Sequence, residues 1–273
     1  MHGHETVELQ RADSRTRSPA LVYRHTLVVR VTHWISALCL LLLAMSGFQI
    51  FNAHPALYWG DRSERPILTL ASRTVPTGSL PGLTIFGHRV DGVSISGGFP
   101  GWATIPSTQW LAMGRRWHFF FAWILAITGL VFVLASVLDG HLARDVVPSR
   151  LDWRRLPSSI RQHLTLHRPP DWRQRYNVLQ KVTYTLVILA LGPLVVLSGL
   201  AMSPALDAAF PWLPVVFGGR QSARTVHFLL TFAFLLFTVL HVVMIAATGP
   251  IDNLRAMITG WMRSPAGPRH DAL

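Results

Sequence analysis

The sequence predicts an all-α membrane protein in which four transmembrane helices form a bundle. Hydrophobic residues make up 50% of the 273 residues and charged residues only 14%, a balance that favours the membrane class over a soluble domain. The apolar residues collect in four long runs, which cover approximately residues 28–51, 114–138, 178–202 and 222–248. As a helix, each run is long enough to cross the roughly 30 Å hydrocarbon core of a bilayer.

Basic residues are distributed unevenly around the four spans. The net charge is +12, and most of the arginines lie in the amino-terminal segment and in the connection 139–177. Loops rich in Lys and Arg stay in the cytoplasm. Both termini and this basic loop are therefore expected on the cytoplasmic side of a bacterial inner membrane. Segment 52–113 then lies outside, in the periplasm of a Gram-negative cell. The basic residues lie in the segments between the spans, so their distribution indicates the membrane topology and contact with lipid headgroups. No nucleic-acid partner is expected.

The segments outside the spans suggest how the chain is divided. Residues 1–24 are polar and are expected to form a disordered cytoplasmic tail, residues 25–263 one membrane domain, and residues 264–273 a second cytoplasmic tail. Segment 52–113 is too long for a passive loop, so we expect it to fold over one face or to dock a partner. Its Pro-Gly and Asp-Gly dipeptides indicate irregular or short β structure.

Two further features lie inside the apolar runs. Cys39 is the single cysteine, which excludes an intrachain disulfide and a cysteine-ligated zinc or iron–sulfur site. It is interpreted as a small buried hydrophobic residue. The third run contains Gly192-Pro193, which predicts a kink in that helix because proline removes a backbone hydrogen bond.

Four histidines lie at span depth, and they are His33, His118, His227 and His241. Because successive spans run in opposite directions, His118 and His227 fall near the outer face, and His33 and His241 near the inner face. His227 and His241 are fourteen residues apart, so both leave the same face of the fourth span, about 21 Å apart along its axis. Ionisable residues inside a bilayer are costly and usually have a partner. The depths therefore predict the pairs His118–His227 and His33–His241.

Paired imidazoles between the helices of a bundle are typical axial ligands of haem iron. A single histidine in an apolar helix is more often a hydrogen-bonded polar residue or a proton relay, but four that pair by depth favour two b-type haems. The predicted fold is therefore a four-helix bundle that binds two haem b groups. The second ring nitrogen of each ligand is expected to donate to a carbonyl, a hydroxyl or water. A proton-coupled transporter remains the alternative from another class, and it would carry no chromophore.

Small and basic residues near the histidines are further candidates for cofactor binding. Gly47 lies at the depth of the outer pair and Gly129 at that of the inner pair, so both could leave room for a flat macrocycle. Ordinary helix packing explains either glycine equally well. Arginines beside the ligands could pair with haem propionates, or anchor the helices at the membrane interface. They are Arg30 on the inner side and Arg115, Arg116, Arg220 and Arg224 on the outer side.

Several short motifs accompany the four histidines. They are Val31-Thr-His-Trp34, Ser46-Gly47, Arg115-Arg-Trp-His118, Ser198-Gly-Leu-Ala-Met-Ser-Pro204 and Gly218-Gly-Arg-Gln-Ser-Ala-Arg-Thr-Val-His227, followed by His241. With these motifs, residues 23–263 resemble the bacterial cytochrome b561 and nickel–iron hydrogenase b-type cytochrome superfamily, and within it the thiosulfate-reductase-type cytochrome b subunits. The resemblance implies the same two histidine pairs.

The resemblance also implies a function. A cytochrome of this kind exchanges electrons with quinone and anchors a redox partner on the outer, periplasmic face, often a molybdopterin oxidoreductase. It places the quinone near the inner haem, beside His241, and makes the chain an electron-transfer subunit without a substrate site of its own. Two alternatives stay open. One is a stand-alone quinone-linked cytochrome b561 oxidoreductase acting on a small molecule such as superoxide, and the other is an anchor for a hydrogenase or a formate dehydrogenase.

Overall fold

The computed structural model describes residues 21–70, 83–85, 88–90, 98–107, 110–164 and 178–263. In chain order the helices are α1 (Leu27–Asn52), α2 (Leu111–Leu138), α3 (Arg150–Leu164), α4 (Val178–Ala201), α5 (Pro204–Ala209), α6 (Trp212–Val216), α7 (Arg220–Thr248) and α8 (Pro250–Thr259). Helices α1, α2, α4 and α7 are each long and apolar enough to cross a membrane, which confirms the predicted class of four transmembrane helices.

Two of the membrane helices begin earlier than hydropathy alone suggests. Helix α2 begins at Leu111 and α7 at Arg220, whereas the apolar runs start near 114 and 222. Arginines interrupt the apolar pattern near both starts, at Arg115 and Arg116 in α2 and at Arg224 in α7. Such residues remain helical at the membrane interface although they carry no apolar pattern, so the helix is longer than its hydrophobic run.

Six short strands lie among the described residues. In chain order they are β1 (Leu21–Tyr23), β2 (Ala56–Leu57), β3 (Leu68–Leu70), β4 (Leu83–Ile85), β5 (His88–Val90) and β6 (Trp261–Arg263). Strands β2 to β5 form a four-stranded antiparallel sheet in sequence order, and β1 pairs with β6. The four-stranded sheet lies in segment 52–113, where turn dipeptides indicated short β structure.

The chain divides into two compact units, one of Met1–Val31 with His241–Leu273 and the other of Thr32–Leu240. In the first unit, the backbone N–H of Arg24 donates to the Gly260 carbonyl at 2.7 Å. The ring of Tyr23 packs edge-on against Trp261, with 5.2 Å between ring centroids. The strand pair β1–β6 and this ring contact join the two ends of that unit.

The membrane helices of the unit Thr32–Leu240 bury polar side chains and expose apolar ones. The buried polar residues include Ser46, Gln49, Thr128, Ser136, Ser198, Ser222 and Thr225. The exposed large apolar residues include Leu38, Leu41, Phe120, Trp123, Leu130, Leu134, Leu236 and Val239. Apolar outward faces with polar groups inside the bundle are typical of helices surrounded by lipid.

The third membrane helix changes its winding just before Pro193. Helix α4 is α-helical over Val178–Thr185, π-helical over Leu186–Leu191 and α-helical again over Gly192–Ala201. Proline has no N–H, and its ring crowds the carbonyl four residues earlier, so a wider turn at that point accommodates it. The structure therefore has a π-helical stretch directly before Gly192-Pro193, where the sequence predicts a kink.

The connection after α1 closes onto the start of α7. The Gly60 carbonyl accepts from the backbone N–H of Gln221 at 3.0 Å, and the Asp61 carboxylate accepts from the N–H of Arg220 at 3.2 Å. A helix start leaves these N–H groups without an intrahelical partner. Gly219 precedes them with a φ of +110°, and a Cβ there would lie 2.6 Å from the Gly60 carbonyl, so only glycine suits this close approach.

At the other end of the bundle, α3 begins with reciprocal hydrogen bonds between Ser149 and Asp152. The N–H and the hydroxyl of Ser149 each donate to the Asp152 carboxylate at 2.9 Å, and the Asp152 N–H donates to the Ser149 hydroxyl at 3.2 Å. Lys181 of α4 donates to the same carboxylate at 3.1 Å. Burial raises the pKa of the Asp152 carboxyl, but these donors outweigh it, so that pKa lies below its usual value.

Some predicted segments lie outside the described residues. They are the tail 264–273, most of the tail 1–24, parts of segment 52–113 and the stretch 165–177 of the basic loop. The proposed domain limits at 25 and 263 therefore stay predictions.

Candidate functional site

Two of the four predicted ligands lie next to each other in the unit Thr32–Leu240. His118 comes from the second turn of α2 and His227 from the second turn of α7. Their ring centroids are 6.1 Å apart and the ring planes are inclined by 67°. The structure therefore brings together the outer pair that the depth argument predicts.

A serine of α1 orients the His118 ring. The buried hydroxyl of Ser46 lies 3.1 Å from Nδ1 of His118. The same hydroxyl donates its hydrogen to the Leu42 carbonyl at 2.7 Å, so it accepts from an N–H on Nδ1. This tautomer leaves Nε2 of His118 with a lone pair for a metal.

A serine of α4 orients the His227 ring in the same way. Nδ1 of His227 lies 2.9 Å from the Val195 carbonyl and 3.1 Å from the buried Ser198 hydroxyl. A carbonyl only accepts, so Nδ1 carries the hydrogen, and Nε2 of this ring is also free to bind a metal. Both contacts agree with the expectation that each ligand donates from its second nitrogen to a hydroxyl or a carbonyl.

Each serine is followed by a glycine that leaves space for the same ring. We call Ser46-Gly47 the α1 Ser-Gly pair and Ser198-Gly199 the α4 Ser-Gly pair. An added Cβ at Gly47 would lie 3.4 Å from Cε1 of His118, and at Gly199 3.2 Å from Cε1 of His227. Gly47 was predicted to make room for a macrocycle, and it lies directly against the ligand ring. The role of the α4 pair was missed, although the repeated dipeptide in two different spans could have indicated it.

The separation of the two rings in the outer pair matches that of two imidazoles bound to one iron atom. Two imidazoles that bind one metal through bonds of about 2 Å have ring centroids about 6 Å apart. The observed separation is 6.1 Å. Within the described ranges, no group of three or more His, Cys, Asp or Glu side chains could hold a metal ion. Two side chains suffice where a porphyrin fills the remaining positions on iron.

The predicted inner ligands lie in different units. His33 follows Thr32 on α1 in the unit Thr32–Leu240, and its ring packs edge-on against Trp34 with 5.2 Å between centroids. His241 lies on α7 in the other unit. Their pairing therefore stays a prediction from the sequence. For Gly129, an added Cβ would meet none of the described atoms within 4 Å, which is compatible with room for a macrocycle and with contact to lipid.

Four of the five arginines predicted to meet haem propionates already make protein contacts. Three of them donate to backbone carbonyls, Arg30 to that of Ile258, Arg220 to that of Met202 and Arg224 to that of His54. The guanidinium of Arg115 lies over the Phe119 ring, 5.7 Å from its centroid. A guanidinium has five N–H donors, so each of these contacts leaves donors for a carboxylate. Propionate binding by these residues stays a prediction.

Comparison with known proteins places the chain among membrane cytochromes. A family model described as prokaryotic cytochrome b561 matches residues 24–260. A relative from Azospira oryzae, named protein-methionine-sulfoxide reductase subunit YedZ1, is 28% identical over 232 residues, which are 85% of this chain and 93% of that protein. A relative from Azotobacter chroococcum, named Ni/Fe-hydrogenase B-type cytochrome subunit, is 20% identical over 271 residues, which are 94% of this chain and 95% of that protein. No solved structure matches the chain significantly.

The match extends across all four membrane helices and includes the His118–His227 site. It confirms the resemblance that the motifs around the histidines indicated. The family consists of b-type membrane cytochromes that act in electron transfer with oxidoreductases, which implies binding of b-type haem. The chain is a multi-pass membrane protein and belongs to the prokaryotic cytochrome b561 family.

Proposed function

We propose that the chain binds two b-type haems and passes electrons between the quinone pool and a redox protein on the periplasmic face. The observation that carries this proposal is the His118–His227 pair, whose separation fits one iron and whose Nδ1 atoms are already hydrogen-bonded. When bound, haem supplies one-electron chemistry at its iron. The chain supplies two Nε2 donors, holds both rings in orientation and surrounds them with apolar helices that exclude water.

The inner haem of this proposal uses His33 and His241. His241 stands on the same face of α7 as His227, fourteen residues further along. That spacing corresponds to about 21 Å, most of the roughly 30 Å core that electrons have to cross. His33 lies near the amino end of α1, as expected for a ligand near the opposite membrane face.

We place the quinone beside the inner haem, near His241, on the basis of the family resemblance. Quinones are lipid-soluble, so a site reached from the bilayer suits the exposed apolar faces of these helices. The chain contributes no substrate chemistry in this arrangement and acts as the electron-transfer subunit of a complex.

The names of the relatives point to a redox partner. One is named as a subunit of a protein-methionine-sulfoxide reductase and the other as a subunit of a hydrogenase. We infer that this chain likewise anchors a catalytic protein, and the resemblance favours a molybdopterin oxidoreductase. The connection after α1 offers it a surface, since Trp59 and Trp102 are 60% and 83% exposed there.

We propose that both termini lie in the cytoplasm and that the host membrane is the bacterial inner membrane. Helix α3 carries exposed basic residues beyond the end of the second span, and they are Arg150, Arg154, Arg155 and Arg161. Such a segment stays in the cytoplasm. A fluorescent protein fused to the carboxyl terminus should fluoresce, and alkaline phosphatase fused at the same position should be inactive. The reverse result would contradict this orientation.

A reduced-minus-oxidised absorption spectrum with a haem assay tests the central proposal. The purified protein should show a b-type α-band and two haems per chain. His227→Ala should lose the outer haem and keep the inner one, while His241→Ala should do the opposite. His54→Ala, at a histidine outside the spans, is the control and should keep both. Absence of the α-band would favour the proton-coupled transporter, and loss of both haems in each variant would contradict two separate sites.

Purification of the tagged chain from its own host separates the remaining alternatives. A catalytic subunit that co-purifies and reduces or oxidises its substrate with quinone would support the anchor. Identification of that subunit distinguishes a molybdopterin oxidoreductase from a hydrogenase. Quinone reduction by superoxide, catalysed by the chain without any partner, would favour the stand-alone oxidoreductase.

A further inference from the structure

Gln49 is the largest fully buried side chain in the described part of the protein, and its amide makes no hydrogen bond to any described residue. The residue is 1% exposed, and both Oε1 and Nε2 are buried without a partner within these ranges. Buried polar groups are almost always paired, because an unpaired one loses its hydration without compensation. An amide with a free donor and a free acceptor therefore points to a partner from outside the chain.

The neighbouring helix makes room for this amide. Gln49 of α1 lies against Gly114 of α2, where an added Cβ would lie 2.7 Å from Oε1. Glycine lowers the stability of a helix relative to alanine, and here it admits a polar group in place of apolar packing. The unpaired amide of Gln49 and the helical glycine Gly114 each lower the stability of the bundle, and they lie against each other. Their combination indicates that this position has a function.

Gln49 and Gly114 lie next to the outer histidine pair. Gln49 is three residues after Ser46 and Gly114 is four residues before His118, so on both helices the displacement is about one turn. Ser46 and His118 are themselves in contact at 3.1 Å. The amide is therefore about one helical turn from His118, toward the end of α1 and the start of α2.

A propionate on the rim of a porphyrin is the polar group expected at this distance from an axial histidine. The macrocycle of haem b is flat and carries two propionate carboxylates on its rim, which accept hydrogen bonds from amide donors. We propose that Gln49 binds the haem held by His118 and His227 by donating from Nε2 to a propionate. The inference rests on the proposed haem function of this site.

Potentiometric titration of the purified holoprotein tests the inference with Gln49→Met. Methionine keeps the volume and removes both polar atoms. Without the donor, the propionate charge acts more strongly on the iron and disfavours its reduction. The reduction equilibrium constant of the outer haem should fall about tenfold, equivalent to about 59 mV for one electron, while that of the inner haem stays unchanged. Cys39→Ala, at a buried residue of the same helix, is the control and should shift neither haem.

Two further measurements keep the test independent of that one variant. Resonance Raman spectra should show a changed propionate bending band in Gln49→Met and an unchanged band in Cys39→Ala. Gly114→Ala, which displaces the amide but retains it, should shift the outer haem in the same direction by a smaller factor. If Gln49→Met does not assemble, Gln49→Asn should give the same direction of change with a shortened amide.

The possible outcomes separate the inference from the proposed function. Two haems with equal potentials in wild type and Gln49→Met, and the same propionate band, would show that the amide only packs and would overturn the inference. A changed potential with an unchanged propionate band would indicate that the amide binds a buried water. That result would overturn the direct contact between Gln49 and the propionate. A wild-type protein without a haem held by His118 and His227 would overturn the proposed function itself.

Discussion

On one side of the outer site the α1 Ser-Gly pair faces His118, and on the other side the α4 Ser-Gly pair faces His227. In both, the serine binds Nδ1 and the glycine leaves space for Cε1. A Cβ added at the glycine would lie 3.4 Å from Cε1 on the His118 side and 3.2 Å from Cε1 on the His227 side. Each ring also meets a backbone carbonyl, His227 that of Val195 at 2.9 Å and His118 that of Leu43. The two sides therefore offer the same kinds of hydrogen-bond acceptor, and they differ in that the His227 side is more closely packed.

This comparison shows that a helix without a ligand can define a ligand's geometry. Helix α4 contains no histidine, yet Ser198, Gly199 and the Val195 carbonyl determine the position and tautomer of the His227 ring. The α1 pair does the same for His118 from a helix whose own histidine, His33, lies at its other end. Each ring is held by a neighbouring helix, which fixes the ring more firmly than its own side-chain torsions would.

The largest effect is expected from filling the space on the His227 side. Gly199→Val adds three carbons where even a Cβ would lie 3.2 Å from Cε1. The ring has to move off its Ser198 and Val195 contacts, so the variant should lose the outer haem and keep the inner one. The haem content of the purified protein measures this. Gly47→Ala is the matched control, because its Cβ would lie 3.4 Å from the His118 ring and should be tolerated. Retention of two haems by Gly199→Val would show that the approach is not critical.

A smaller effect is expected from removing the serine hydroxyls one at a time. Loss of an outer-shell partner of a metal-binding histidine weakens metal binding about 10- to 100-fold. Ser46→Ala and Ser198→Ala should each stay near the lower end of that range, because the Leu43 carbonyl still faces the His118 ring and the Val195 carbonyl still accepts from Nδ1 of His227. The rate of haem transfer to excess apomyoglobin measures the loss. A rate equal to that of wild type in either variant would mean that its serine hydroxyl does not hold the ring.

The smallest effect is expected away from both Ser-Gly pairs, at the charged contact between Asp152 and Lys181. Asp152→Asn should lower stability by about 1–2 kcal/mol at neutral pH, because the helix cap and the ion pair both weaken. The folded-state pKa of Asp152 lies below its unfolded value of about 3.9, so its contribution is present above that pH and is lost as the pH falls through the folded pKa.

Thermal melts of the detergent-solubilised protein measure this pH dependence. The melting temperatures of wild type and Asp152→Asn should differ at about pH 6 and converge as the pH falls below the unfolded pKa of about 3.9. The absorption of the outer haem should be the same in both proteins, because the contact lies at the other end of the bundle. A difference that persists unchanged to low pH would mean that the carboxylate charge is not the cause.

The four spans and the outer histidine pair could be predicted because both depend on local periodicity. A long apolar run predicts a membrane helix from its own residues alone. The fixed rise per residue of a helix then places His118 and His227 at one depth. The family resemblance rests on motifs around these same residues, and it is confirmed by the match over residues 24–260. The division of the inner pair between two units, with His33 in one and His241 in the other, could not be read from spacing.

The contacts around the ligands could not be predicted because they join helices that are distant in the chain. Ser198 was recognised as part of a motif, but an apolar run does not reveal which ring its hydroxyl meets. The unpaired amide of Gln49 has the same origin, since only the packing of α1 on α2 shows that it lacks a partner among the residues that the structure describes. The π-helical stretch in α4 depends on how the backbone relieves the crowding at Pro193, for which several solutions exist.

The hydrogen bonds from Gly60 and Asp61 to the start of α7 have a consequence for biogenesis. These two residues are synthesised long before α7, and their acceptors meet the helix only when the last span has entered the membrane. His227 lies seven residues after Arg220 on the same helix, so it reaches His118 in the same event. The proposed haem site is therefore complete only once α7 is in place, and a chain arrested before α7 would lack one of its two proposed ligands.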